Sequence, residues 1–396
     1  MSENRIKKAV ILAAGEGQRL RPFTTLKPKP MIPVGGKPVL QHVIEALAQN
    51  GIIEIIIVVG YKKENIFDFF GGGENFGVDI EYVTQSQQLG TAHALAQARD
   101  KVKGEFLVLP GDNVIESRTI SEILELHPPA ILLKNQQDIS KYGIGIVEDG
   151  YLRQLVEKPE SAVTHLANTG IYAFSDECFN FLDDILDLPG IIDSMLSSGI
   201  SFKDVQTTET WLDAVYPWDI LQLSDLVLQK LYRSCAGTVE KGVTIQGPVY
   251  IGKGSVIRAN SYIVGPAAIG EGCDIGPSAC IFPTTEIGDY SVISPYSEIR
   301  NSVLGEGVTI GTGATIQDSV IDRYVTIGAK FSATSGETQI DADSERHRVT
   351  MGAMVGEHTS IGDNVVVSPG IRIGPKAIIK SLKLIDHDVP FEALVV

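Results

Sequence analysis

The sequence predicts an α/β domain on a mainly parallel sheet, followed by a parallel β-helix. Two observations predict this. Up to about residue 215, apolar strands alternate with helical patterns. From Val239 onward the apolar period becomes six. A chain of 396 residues is long for one core, so two domains are expected.

The elements follow in order. Lys8–Ala13 reads as a buried strand. Val39, Leu40, Val43, Ile44 and Leu47 recur at helical spacing, and Gly51 is a natural stop. Ile52–Val59 is rich in β-branched residues and reads as a second buried strand. Ile80–Thr84 is predicted as a strand, Ala92–Val102 as a helix and Glu105–Leu109 as a strand. This βαβ rhythm puts ligands at the carboxyl ends of the strands. Asp219–Tyr232 reads as a helix joining the halves. The predicted domains are therefore residues 1–216 and 237–396, with a helical linker over 217–236.

In the second half, Val239, Ile245, Ile251, Ile257, Ile263, Ile269, Ile275, Ile281, Ile287, Ile293 and Ile299 keep strict hexad spacing. Five-residue steps lead to Leu304 and, after Ile310 and Ile316, to Ile321 and Ile327. The register breaks at 329–348, predicted as a projecting loop, and resumes at Val349, Val355, Ile361, Val367, Ile373 and Ile379. Each coil of such a repeat buries its aliphatic residues on the next.

Composition narrows the function. The net charge of −16 argues against nucleic acid and anionic membranes as partners. It also gives an anionic substrate no long-range help, so a phosphate site must be a local basic island. The four cysteines form no close pairs, which fits reduced thiols. No signal-peptide layout precedes Gly15, and the most apolar run, Ile52–Val59, is too short to span a bilayer. A soluble, cytoplasmic protein is expected.

The most informative stretch is Ala9–Pro38. A buried strand feeds the turn Ala13-Ala14-Gly15-Glu16-Gly17, then Arg19, then Lys27-Pro28-Lys29-Pro30. Small residues let backbone N–H groups approach phosphate oxygens, and the guanidinium and ammonium groups neutralise the remaining charge. That combination suits a triphosphate. Leu20 stands where a dinucleotide fingerprint needs its third glycine, and no Gly-Lys-Ser/Thr occurs for a Walker loop. Further on, Gly111-Asp112-Asn113 closes a buried strand, which aims Asp112 into the ligand crevice. Taken alone, Gly-Asp-Asn is equally a turn.

The Ala9–Pro38 stretch resembles the activating loop of sugar-1-phosphate nucleotidylyltransferases. The whole chain resembles archaeal bifunctional nucleotidylyltransferase/acetyltransferases, relatives of the enzyme that makes UDP-N-acetylglucosamine. The resemblance implies a Rossmann-like nucleotidyltransferase domain and a left-handed parallel β-helix. It makes Arg19, Lys29, Asp112 and Asp213 catalytic, with Lys27 as a helper. Asp112 and Asp213, the latter in Thr210-Trp211-Leu212-Asp213, would hold Mg2+ together with substrate phosphates. Ala13, Ala14, Gly15 and Gly17 would contact the nucleotide. So would Gln85, Gly90 and Thr91 of Gln85-Ser86-Gln87-Gln88-Leu89-Gly90-Thr91, which lie against the base and suit UTP or dTTP. The bland reading of Thr91 is a helix N-cap, and His93 reads as a packing or hydrogen-bonding residue rather than a general base. Gly143, Glu157, Lys158 and Asn168 would surround the sugar phosphate. The implied partners are a nucleoside triphosphate and a glucose or N-acetylglucosamine 1-phosphate, with a homotrimer or a multiple of it as the assembly.

The second half departs from that family. Its acetyl-transfer base is a His followed shortly by a Tyr before a Gly-Asp turn. Here Thr309–Asp318 carries neither, and Phe331-Ser332-Ala333-Thr334-Ser335-Gly336 replaces the usual Asn-rich segment. His347 and His358 lie outside the matching motif; His358 reads as a coil corner. Acetyl transfer to glucosamine 1-phosphate stays an alternative function. A nucleotide-sugar-sensing regulatory subunit without catalysis is another. Retention of Arg19, Lys29, Asp112, Lys158 and Asp213 together argues against the latter.

Overall fold

The computed structural model describes residues 6–137, 139, 141–157, 164–182, 185–342 and 345–396. The chain divides into two compact units. The first holds the chain through Glu16, then Lys27–Met31 and Pro38–Asp213; the second holds Gly17–Leu26, Ile32–Lys37 and Ala214–Val396. The loop between the first strand and helix is thus shared between the units, which the linear division into 1–216, 217–236 and 237–396 does not capture.

The first unit is built on a nine-stranded sheet. Its strands are β1 (Lys8–Ala13), β2 (Glu54–Val59), β3 (Asp79–Thr84), β4 (Glu105–Pro110), β5 (Ala130–Asn135), β6 (Ile144–Glu148), β7 (Tyr151–Val156), β8 (Leu166–Ser175) and β9 (Phe202–Thr207). The order is β3-β2-β1-β4-β8-β5-β9-β7-β6. The run β3-β2-β1-β4 is parallel. Beyond it the sheet is mixed, because β8 runs antiparallel to both β4 and β5. The apolar residues of β1, β2 and β4 are buried on both faces, as a covered parallel sheet requires. Helix α1 (Val39–Gln49) buries Val39, Leu40, Val43, Ile44 and Leu47, the predicted stripe. Helix α2 is shorter than the expected 92–102: it spans Thr91–Ala96. A 3-10 turn, Arg99–Lys101, follows, where the Arg99 guanidinium donates to Phe179 O at 2.5 Å.

The second unit is a parallel β-helix with three faces of eight, nine and eight strands. On one face Ile251, Ile269, Ile287, Leu304, Ile321, Val355 and Ile373 stack in register. On the next, Ile257, Ile275, Ile293, Ile310, Ile327, Ile361 and Ile379 do the same. All are at most 2% exposed. Burying each such side chain is worth roughly 1.5–3 kcal/mol. The recurrent glycine after the isoleucine has a packing reason. A Cβ on Gly252 would lie 2.5 Å from the Gly270 carbonyl carbon, so successive coils close only without a side chain there.

The break in the repeat needs correction. Ala333 occupies the hexad position after Ile327 and stacks between Ile316 and Val367. The neighbouring Phe331, 1% exposed, supplies the bulk that the small alanine lacks. The insertion is therefore not 329–348 but follows Ala333 and ends before Met354. It is a β-hairpin of Gly336–Ala342 and Glu345–Met351, and Val349 pairs with Thr338 within it rather than resuming the coil. The linking helix, α4, is Asp219–Leu228 and not 219–232; the Asp219 carboxylate accepts from Val215 N at 2.9 Å and Tyr216 N at 2.8 Å.

Candidate active site

The carboxyl ends of β1, β3 and β4 open on a cleft of about 840 Å3. Asp112 follows β4 after one residue, Gly111. Beyond it, Asn113–Ile115 pairs antiparallel with Trp211–Asp213, and the register sets Asp213 opposite Asn113. Two acids a hundred residues apart in sequence thereby converge. The Lys29 ammonium sits between them, 2.6 Å from Asp112 Oδ2 and 2.5 Å from Asp213 Oδ1. Burial alone would lower the affinity of Lys29 for its proton. The charges of Asp112 and Asp213 and their hydrogen bonds outweigh burial and hold its pKa above the ordinary lysine value. Lys29 is therefore a permanent cation.

At the β3 end, Gln85 is 4% exposed. Its Nε2 donates to Gly90 O at 3.0 Å and lies 2.9 Å from His93 Nδ1. His93 is thus a hydrogen-bonding residue, as expected. Gln88 Nε2 donates to Ala14 O at 2.8 Å, tying this loop to the end of β1. Gly90 has φ +140, and a Cβ there would fall 2.1 Å from Leu186 O. Thr91 is not the N-cap. Gly90 holds that position, Leu186 O accepts from Ala92 N at 2.9 Å, and Thr91 Oγ1 accepts from Leu188 N at 2.9 Å.

On the other side of the cleft, a bulge in β8 between Asn168 and Ile171 turns Asn168 toward Tyr172. The Asn168 amide and the Tyr172 hydroxyl exchange hydrogen bonds at 2.7 and 3.0 Å. Burial pushes the Tyr172 phenol well above its ordinary value, so it stays protonated. Asn168 N donates to Gly143 O at 2.8 Å, and Glu157 Oε2 lies 2.6 Å from where a Gly143 Cβ would stand. Gly143, Glu157 and Asn168 therefore form one wall.

A family profile described as nucleotidyl transferase matches residues 8–225, and one described as GlmU-like, C-terminal hexapeptide matches 252–356. The first covers more than half of the chain. The chain belongs to the nucleotidyl transferase family. Among its relatives, "Bifunctional protein GlmU" of Methanococcus maripaludis is 34% identical over 98% of this chain and 96% of its own length. A "Bifunctional sugar-1-phosphate nucleotidylyltransferase/acetyltransferase" of Sulfurisphaera tokodaii is 32% identical over 97% of this chain and 98% of its own. In a solved structure, a Bacillus anthracis protein assigned as a glucose-1-phosphate thymidylyltransferase, in complex with a sucrose, is similar. The match has a TM-score of 0.52 and 27% identity and covers 56% of this chain and 94% of that one. The chain is accordingly an enzyme of the sugar-1-phosphate nucleotidyltransferase class with a hexapeptide-repeat β-helix.

Within this transferase, the cleft brings together Ala14, Gly15, Gln85, Gly90, Thr91, Asp112, Gly143, Glu157, Asn168 and Asp213. Ala13, Gly17, Arg19, Lys27 and Lys29 are not among the residues that line it, although Lys29 is paired with the lining acids Asp112 and Asp213. Ala13 is buried in β1; Arg19 is exposed on the 3-10 turn Gln18–Leu20, which Gly17 opens at φ 70. Lys27 is buried at 3% exposure. Lys158 lies outside the described residues. The sequence reading missed the segment Asp187–Asp193, which enters the cleft wall with α3 (Leu188–Ser197). Its Asp187 N-cap and Pro189 are a legible helix start, but nothing in that pattern says that the helix end faces a ligand. Tyr172 and Trp211 also line the cleft.

Nucleotidyltransferases of this family generally use a divalent metal. Asp112 and Asp213 fit one, because both already direct an oxygen at a single cation, the Lys29 ammonium. Among the described residues no group of three or more His, Cys, Asp or Glu converges. A pair of carboxylates completed by phosphate oxygens and water is the usual way that Mg2+ is held.

Proposed function

We propose that the enzyme condenses UTP or dTTP with a glucose or N-acetylglucosamine 1-phosphate, releasing pyrophosphate and an NDP-sugar. The observation that carries the reading is the pair Asp112 and Asp213, which line the cleft and hold the Lys29 ammonium between them. A phosphate oxygen of the sugar phosphate attacks the α-phosphorus in line. The new P–O bond forms as the bond to the β-phosphate oxygen breaks, and its electrons leave with pyrophosphate. The nucleophile is already an anion at neutral pH, so no general base or covalent residue is needed. Positioning and charge neutralisation carry the catalysis.

Each residue then has a task. Lys29 and Arg19 balance charge on the α-phosphate and the departing pyrophosphate, with Lys27 as a helper. The backbone at Ala13, Ala14, Gly15 and Gly17 admits the triphosphate. The Gln85 carbonyl is suited to accept from the N3–H of a uracil or thymine, with Gly90 and Thr91 shaping the base pocket. Gly143, Glu157 and Asn168 receive sugar hydroxyls or an amide, and Lys158 pairs with the sugar phosphate. Asp112 and Asp213 would hold Mg2+, which when bound supplies positive charge to the phosphates. Substrates of this class support a cytoplasmic location, and the hexapeptide β-helix supports a homotrimer.

Acetyl transfer is the second reading, favoured by the bifunctional names of the relatives. The residues weigh against it. His358 is exposed at a coil corner with φ 59 and stacks on Tyr324 at 5.2 Å, and His347 lies in the hairpin beside Tyr216 at 4.6 Å. The test is pyrophosphate release with Mg2+, crossing UTP, dTTP, ATP and GTP with the 1-phosphates of glucose, N-acetylglucosamine and glucosamine. Release with UTP or dTTP is expected, and the best pair names the product. Robust acetylation of glucosamine 1-phosphate from acetyl-CoA would overturn the ranking of the two readings.

A further inference from the structure

Glu286 is an ionisable side chain in an apolar repeat. It occupies the outward position of the coil strand Thr285–Ile287, between Ala268 and Val303 in register, yet it is only 3% exposed. A carboxylate is tolerated in such a place only when donors replace its water. Here three do. Gly35 N donates to Oε2 at 2.9 Å, Gly36 N donates to Oε1 at 2.5 Å, and Ser224 Oγ donates to Oε2 at 2.8 Å. The two glycines have φ +63 and +77, so consecutive N–H groups converge on one anion. A Cβ on Gly35 would meet Val227 Cγ1 at 2.4 Å. Turn, linking helix and coil are therefore fitted to one another within the second unit.

The turn stands six residues after Lys29 in the chain. The segments on either side of Lys27–Met31 both belong to the unit that contains the β-helix. On the other flank, Arg21, Pro22 and Thr25 line a cavity of about 420 Å3 with Arg372, Pro375 and Phe391. In sequence, the lysine segment is thus flanked on both sides by stretches that belong to the β-helix unit.

We propose that Glu286 is a positioning residue for the phosphate loop, through which the β-helix sets the turnover of the transferase. The proposal rests on the reading of Lys29 and Arg19 as triphosphate ligands. Glu286 touches no substrate; it fixes the 35–36 turn, and the turn fixes the path of the chain out of Lys29. A misplacement of about 1 Å far from the chemistry can cost up to about 10²-fold in rate.

The test compares the full-length wild type with Glu286→Ala and Glu286→Gln, well below each melting temperature. Hydrogen exchange of a peptide covering residues 32–37 is read alongside kcat and both KM values. Glu286→Ala should speed exchange in that peptide and lower kcat about tenfold or more, with KM for the sugar phosphate within about twofold. Glu286→Gln keeps one acceptor for the turn but sets an NH2 against the other donors, so its kcat should fall between. Gly36→Ala reaches the same joint from the loop side if Glu286→Ala fails to fold. Its Cβ meets nothing within 4 Å, so it acts only through the strained φ, and it should give the same kinetic signature. Faster exchange with kcat within twofold of wild type would reduce Glu286 to a structural joint and overturn the proposal. An inactive wild type would instead sink the reading of the transferase site on which it rests.

Discussion

The acid pair shows how residues distant in sequence become neighbours through chain geometry. Asp112 alone reads as a turn residue and Asp213 as a surface one; strand register makes them neighbours across one lysine. Replacing Asp213 with Asn leaves Lys29 one charged partner and weakens the acid pair. The Mg2+ concentration for half-maximal activity should rise roughly tenfold or more, read from a metal titration of the initial rate. Arg19 is exposed, so Arg19→Ala should melt like the wild type. Its turnover should nevertheless fall by about 10²-fold or more, the size of losing one preorganised charge donor. A rate within a factor of a few of wild type would remove Arg19 from the mechanism. Gly90→Ala forces a Cβ onto Leu186 O at a φ that side chains rarely adopt. It should cost about 1–3 kcal/mol of stability in urea unfolding and raise KM for the nucleotide more than for the sugar phosphate.

At the scale of elements, the β-helix was the most legible part, because period-six burial is a strong constraint. The same isoleucines that set the spacing stack in register on each face. Ile310 is fully buried between Ile293 and Ile327, so Ile310→Ala should cost about 2–5 kcal/mol, measured by thermal or urea unfolding. The hairpin was misplaced because Ala333 is too small to register as a hexad residue, while Val349 falls at the right spacing by coincidence. Helix α2 was overestimated for a similar reason: Ala92–Val102 is favourable throughout, but the chain is tightened at Ala98–Lys101 by contacts that no local pattern encodes. The cleft wall from Asp187 to Asp193 was invisible because it depends on the packing of Leu186 and Leu188 against Gly90 and Thr91.

For the whole molecule, the sharing of the phosphate loop between two units is the feature that linear domain boundaries hide. In sequence, Lys27–Met31 of the first unit is flanked on both sides by stretches of the second. The apolar side chains Leu382, Leu384 and Leu394 on the last coils are 58–78% exposed, which suits an interface between copies. Light scattering of the purified protein should give the mass of a trimer or a multiple of it, and a monomer would contradict that assembly. On the proposed mechanism a phosphate oxygen of the sugar 1-phosphate becomes the bridge to the α-phosphorus, and the phosphate's bond to the anomeric carbon stays intact. This is tested most directly with sugar 1-phosphate carrying 18O at its non-bridging oxygens, followed by mass spectrometry of the products. An NDP-sugar that retains all of the label and an unlabelled pyrophosphate are expected. Label in pyrophosphate, loss of label from the NDP-sugar, or absence of an NDP-sugar with every nucleotide would contradict that mechanism.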